Sequence, residues 1–209
     1  MLPEVARAIP SGAVVTDVGS TKRDLMALAQ KHFTGERFFI GGHPMTGLEK
    51  GGWENSEARL FENAIYVLTL PLHVPTPLLE ALQDFLAELG ARVMLLEPEE
   101  HDRIAAEISH LPHLLAITLT NFIAREGVKR EPRLQMAGRG FRDMTRIAAS
   151  PFPIWRDILH TNHDNVQQAL QEFTLALQQL TQELERDELK PRFQNAQQLQ
   201  QQMSRGSAA

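Results

Sequence analysis

An α/β sheet followed by an all-helical region is the fold this sequence predicts, and three observations predict it. Up to about residue 97, short β-branched or aromatic runs alternate with stretches of helical periodicity, as strands joined by crossover helices do. From Glu99 onward the strand pattern stops and apolar residues recur at helical spacing. Glycine and proline cluster between the periodic stretches and mark where they end.

The elements follow in order. Ala13 to Val18 is β-branched and closes at Gly19, a first strand; Thr21 to His32 follows as a helix with one polar face. Arg37 to Ile40 is a second strand, stopped by Gly41-Gly42. A charged helical segment from Glu54 to Leu60 leads into a third strand, Ala64 to Thr69. Pro75 and Pro77 open a helix carrying Leu78, Leu79, Leu82, Phe85, Leu86 and Leu89, and Gly90 fits its stop. Arg92 to Leu96 is the fourth strand. Alternation of this kind predicts a parallel sheet over residues 1–97.

In the helical region, residues 98–195, the stretch from Ile104 to Arg125 is apolar enough to be largely buried. Gly138-Arg139-Gly140 and Pro151-Phe152-Pro153 mark two breaks. Val166, Leu170, Phe173, Leu177, Leu180 and Leu184 then alternate spacings of four and three, a heptad-like seam suited to a bundle helix. Residues 196–209 are glutamine-rich at first and are expected to fray.

Composition narrows the function. With 209 residues and 43% hydrophobic content the chain can bury a core, so a disordered scaffold is excluded. The 21 basic residues are outnumbered by 26 acidic ones, which argues against a nucleic-acid partner. The absence of cysteine removes disulfides, thiolate nucleophiles and cysteine zinc sites together. No apolar run approaches the roughly 20 residues a membrane helix needs. Met1 to Ile9 resemble neither a charged leader nor an apolar signal core, so a cytoplasmic protein is expected.

Ligands of parallel α/β sheets bind beyond the carboxyl ends of the strands. Asp17-Val18-Gly19-Ser20-Thr21-Lys22 and Gly41-Gly42-His43-Pro44-Met45-Thr46-Gly47 stand at two such ends. If the two strands are parallel neighbours, Ser20 and His43 emerge on one edge. His43 then suits a general base, because imidazole titrates near working pH. Ser20 would fix its tautomer or bind substrate. A turn histidine and a helix-capping serine explain the same residues, and both readings stand open. His101-Asp102, His110 and His113 suggest imidazole and carboxylate ligands for a metal, yet Pro112 interrupts the pair and the glutamate of the known zinc helix is missing. A polar pocket or buried, satisfied histidines are preferred, and no metal is assigned. Arg139, Arg142 and Arg146 follow a glycine turn and suit a carboxylate, or else form a solvated face with Asp143. Trp155 reads as packing.

Four of these segments, in order, resemble the prephenate dehydrogenase family. They are Thr16 to Lys22, Gly41 to Gly47, His101-Asp102 with Ile108 to His113, and Gly140 to Ala148. The resemblance covers nearly the whole chain. It implies a partial Rossmann-like sheet followed by an all-α dimerisation domain, and the oxidative decarboxylation of prephenate to 4-hydroxyphenylpyruvate with hydride transfer to NAD, or NADP. In this carry-over His43 matches the catalytic histidine and Ser20 its orienting partner. Arg146 matches the arginine that holds a substrate carboxylate. His110, His113, Glu49 and Trp155 match positions near the substrate, and Asp17 with Ser20 positions near the cofactor. Arogenate is the alternative substrate, and a non-catalytic dimerisation or regulatory module the alternative from another class. A homodimer through the helical region is implied. The family's GxGxxG turn, which cradles the dinucleotide pyrophosphate, is not found in the sequence. The first part of the sheet is therefore expected to be missing, and these residues alone are expected to bind dinucleotide weakly or not at all.

Overall fold

The computed structural model describes residues 1–47, 52–127 and 129–206. Residues 1–166 form one compact unit and residues 167–209 a second. The first unit opens with α1 (Leu2–Ala8), β1 (Val14–Thr16), α2 (Arg23–His32) and β2 (Phe38–Pro44). It continues with β3 (Ile65–Thr69), α3 (Thr76–Glu88) and β4 (Arg92–Leu95). The strands form one sheet in the order β1-β2-β3-β4.

The sheet is mixed rather than parallel. β1 and β2 are parallel, as are β3 and β4, but β2 and β3 run antiparallel with His43 opposite Val67. The reason lies in the connections. α2 joins β1 to β2 and α3 joins β3 to β4, and each crossover returns the chain in the same direction. Between β2 and β3 the expected helix over Glu54 to Leu60 is replaced by a short 3-10 turn, Trp53–Asn55, and further turns. Without a crossover helix the chain reverses.

β2 also runs further than its glycines suggested, with Gly41 and Gly42 inside the strand and buried. A Cβ on Gly42 would lie 2.3 Å from the Asp17 carbonyl, and one on Gly41 2.3 Å from Thr69 Oγ1. The glycines let neighbouring chain segments, not a ligand, approach β2. Successive residues of β2 face opposite layers. Ile40 packs with Tyr66, Leu68, Leu86 and Ala91, whereas Phe39 packs with Met26 and Ala29 of α2. His43 shares the parity of Phe39 and so lies on the α2 side of the sheet.

After the sheet come α4 (Pro98–Ala105), a π-helical turn (Ala106–His110) and α5 (Leu111–Ile123). Pro112 has no N–H to give the carbonyl of Ile108, and the widened turn sits where that bond is lost. α6 (Arg130–Gln135), α7 (Arg139–Thr145) and α8 (Phe152–Thr161) follow, with Gly138 and Pro151 each standing immediately before a helix. The two predicted breaks are thus helix starts. α9 (His163–Glu185) carries the heptad-like seam, and Leu170, Leu177 and Leu184 on it are exposed.

In the second unit the glutamine-rich run expected to fray is helical within α10 (Lys190–Gly206). Glutamine is a good helix former, and neither proline nor glycine interrupts residues 192–205. Arg192 donates to both oxygens of Glu183 at 2.7 Å, bracing α10 against α9 within this unit. No described helix is long and apolar enough to cross a membrane.

Candidate active site

The site begins with a carboxylate that closes the turn after β1. Asp17 accepts from the backbone N–H of Gly19 at 2.7 Å and of Gly42 at 2.9 Å, and pairs with the Lys22 ammonium. Lys22 is fully buried and also donates to the Gly42 carbonyl at 2.6 Å. Burial pushes the Lys22 pKa down, against the pull of Asp17. Asp17, matched to the cofactor region by resemblance, thus spends its carboxylate on tying β1 to β2.

The helix predicted from Thr21 starts at Arg23, and Ser20 does not cap it. The acceptor at its N-terminus is Asp102 of α4, which takes the backbone N–H of Lys22 at 2.7 Å and of Arg23 at 3.0 Å. An anion there meets two amides that have no partner inside the helix. Burial alone would raise the Asp102 carboxyl, but hydrogen bonds from His101 and from those two amides outweigh it and hold the pKa down. Asp102 is therefore ionised, and fully buried.

From Asp102 a chain of hydrogen bonds runs to His43. Asp102 Oδ1 lies 2.7 Å from His101 Nδ1, and His101 Nε2 lies 2.8 Å from His43 Nδ1. The expected orienting partner of His43 was Ser20; the residue bonded to Nδ1 is His101. Burial lowers the His43 pKa to about 3, reinforced by His101 and Lys22, so the ring is neutral at pH 7.

A second branch leaves the same aspartate. Asn162, fully buried between α8 and α9, donates to the Asp102 carbonyl at 2.6 Å and lies 3.3 Å from His110 Nδ1. Burial takes His110 down to about 4. His113 stacks on Trp155 with ring centroids 3.6 Å apart, and His110 meets the same indole edge-on at 5.9 Å. His113 Nε2 is buried and makes no hydrogen bond. An apolar wall carrying one unpaired ring nitrogen suits a ring-shaped ligand with a polar substituent.

Of the residues singled out in the sequence, His43, His101, His110, His113 and Trp155 are therefore neighbours. Ser20 is partly exposed on the turn after β1. Arg146 is exposed and opens a 3-10 turn, Arg146–Ala149, packed against α5, the helix that carries His113. Glu49 lies outside the described residues. Among the described residues no group of three or more histidine, aspartate or glutamate side chains is disposed to hold a metal ion. Sequence reasoning missed the roles of Lys22, Asn162 and the His101–Asp102 pair; only the adjacent His-Asp at a helix start carried a visible signal.

The residues fit one end of a dinucleotide. Val18, Gly19 and Ser20 follow β1 at its carboxyl end, with Val18 65% exposed although apolar, a surface suited to a nicotinamide ring.

Known proteins similar to this chain identify its family. Residues 1–95 match the family profile "Prephenate dehydrogenase, nucleotide-binding domain" and residues 97–203 match "Prephenate dehydrogenase, dimerization domain". The prephenate dehydrogenase of Bacillus subtilis is 38% identical over 167 residues, covering 79% of this chain and 45% of that protein. The chain spans about half the length of the curated relatives it matches first. Prephenate dehydrogenase from A. aeolicus, solved with hydroxyphenyl propionate and NAD+, superposes with a TM-score of 0.83 at 28% identity, over 98% of this chain and 71% of that one. Synechocystis arogenate dehydrogenase superposes with a TM-score of 0.79 at 29% identity, over 100% of this chain and 74% of that one. The chain belongs to the prephenate dehydrogenase family.

Proposed function

We propose that this chain carries the base and the substrate wall of an oxidative decarboxylation in which prephenate becomes 4-hydroxyphenylpyruvate, with NAD as hydride acceptor. The observation that supports it most is a buried, neutral histidine, His43, beside two further buried histidines and a stacked indole. His43 takes the proton of the ring hydroxyl. As that carbon becomes a carbonyl its hydride departs, the ring carboxylate leaves as carbon dioxide, and the electron pair of the broken bond makes the ring aromatic. A bound nicotinamide supplies the hydride acceptor. Arg146 holds a substrate carboxylate, and His110, His113, Trp155 and Glu49 shape the pocket. Ser20 and Asp17 lie toward the cofactor, which Val18 to Ser20 would hold at its nicotinamide end.

Residues 1–97 act as the nucleotide-binding part and 98–195 as the dimerising part, through which two copies associate. The exposed Leu170, Leu177 and Leu184 of α9 give that association an apolar stripe. Arogenate is the second reading, favoured by the similarity to the Synechocystis structure.

The test joins a βαβ unit with a glycine-rich turn ahead of Met1 and assays prephenate and arogenate with NAD+ and NADP+. Prephenate with NAD+ is expected to turn over in a dimeric preparation, and His43→Asn to lower kcat by about 10²–10⁴. A folded, NAD+-binding preparation that oxidises neither substrate would overturn the enzyme reading in favour of a non-catalytic module. An unchanged kcat in the variant would remove His43 from its role.

A further inference from the structure

With one proton on each imidazole, the hydrogen-bond chain behind His43 has a single consistent assignment. A carboxylate can only accept, so Asp102 requires the His101 proton on Nδ1. With its one proton there, His101 presents a lone pair at Nε2, and this lone pair requires the His43 proton on Nδ1. His43 is left with a bare Nε2. The direction of the whole chain is set at its far end, where two backbone amides and a histidine converge on a buried anion.

We propose that His101 and Asp102 are positioning residues that lock His43 in the tautomer whose Nε2 is free to accept a proton. The proposal rests on the reading of His43 as the base and names what makes it one. Two features of the geometry support a built device over incidental packing. All three side chains are at least nine-tenths buried, where a mis-assigned proton would face another donor with no water to separate them. The three residues come from two elements, His43 from β2 and His101 and Asp102 from α4, with α2 fixing the carboxylate, so ring orientation is set by the framework rather than by one flexible loop. When His43 takes a proton, the positive charge forms two hydrogen bonds from an ionised carboxylate. The proton stays on the His43 ring, and Asp102 offsets its charge through His101.

The groups facing this chain are few. Lys22, paired with Asp17, approaches from the start of α2, and His110 from the π turn. Neither is bonded to either nitrogen of His101, so the tautomer is assigned by Asp102 alone.

Nitrogen-15 spectra of the histidine rings in the chain as it stands read this without any turnover. In the wild-type protein at neutral pH, His43 and His101 are expected to carry their protons on Nδ1. His101→Phe keeps the ring volume and leaves the two amide bonds of Asp102 in place, but gives the His43 Nδ1–H no acceptor. In that variant the Nδ1–H form of His43 is expected to fall from nearly all to a minority. Protonation of wild-type His43 on Nε2, or an unchanged His43 tautomer in the variant, would overturn the proposal. Should His101→Phe fail to fold, the wild-type spectrum alone still decides. Failure of the enzyme reading would leave these spectra as they are, and a reversed tautomer would leave the turnover assay as it is.

Discussion

The interior beneath β2 and the surface of α7 both hold charged and polar groups and use them in opposite ways. Beneath β2, Asp17, Lys22, His43, His101, Asp102, Asn162 and His110 interlock, with distances of 2.6–3.3 Å along the Asp102 branches. On α7, Arg139 and Asp143 pair at 3.6 Å with side chains 93% and 68% exposed. The first set is held away from water, so each group depends on its neighbour for a partner. The second is hydrated whether or not the pair forms, and such pairs are worth about 0–1 kcal/mol. Burial thus decides which polar residues act as a unit.

The largest effect expected from breaking this contrast is at Asp102. Asp102→Ala strands the amides of Lys22 and Arg23 and the ring N–H of His101 together. Removing one side of such a buried arrangement costs about 3–5 kcal/mol, to be read by denaturant unfolding. A loss below about 1 kcal/mol would mean that water or rearrangement serves those donors equally well.

Acid gives a smaller and more gradual break. His43 and His110 stay neutral in the folded protein down to about pH 3 and pH 4, whereas in the unfolded chain they bind protons near 6.5. Below 6.5 the unfolded state binds more protons, so the stability present above that pH drains away as pH falls toward 4. Each histidine contributes a slope on the order of 1 kcal/mol per pH unit across that window. His43→Asn should flatten the curve between pH 6.5 and 4. An identical pH profile in the variant would show that His43 does not titrate low.

Elements decided locally were easier to read from sequence than the buried network. Helices α3 and α9 and the strands β1, β3 and β4 follow from local periodicity and their punctuation, because each is decided by residues close in the chain. The reversal at β3 was not legible: it depends on the segment from Glu54 to Leu60 failing to form a crossover helix, and charged residues at helical spacing gave no warning of that. The site divided similarly. His43 stood out because it follows a strand-like run and a glycine pair, where ligands of α/β sheets bind. Its partner His101 lies 58 residues further on, and Asp102 caps a helix 80 residues before it. Such pairings belong to the tertiary arrangement and leave no spacing behind. Ser20, the nearest hydroxyl in sequence terms, was the natural choice of orienting partner, and nothing in its spacing pointed to the bond between His101 and Nδ1.

The claim that these buried groups work as a unit is tested most directly by a stability double-mutant cycle on His101 and Asp102, with Arg139 and Asp143 as the exposed control. His101→Phe, Asp102→Ala and the double variant are expected to show a coupling of about 1 kcal/mol or more, while alanine variants of the control pair add within about 0.5 kcal/mol. Additivity within about 0.3 kcal/mol at His101 and Asp102 would contradict the account.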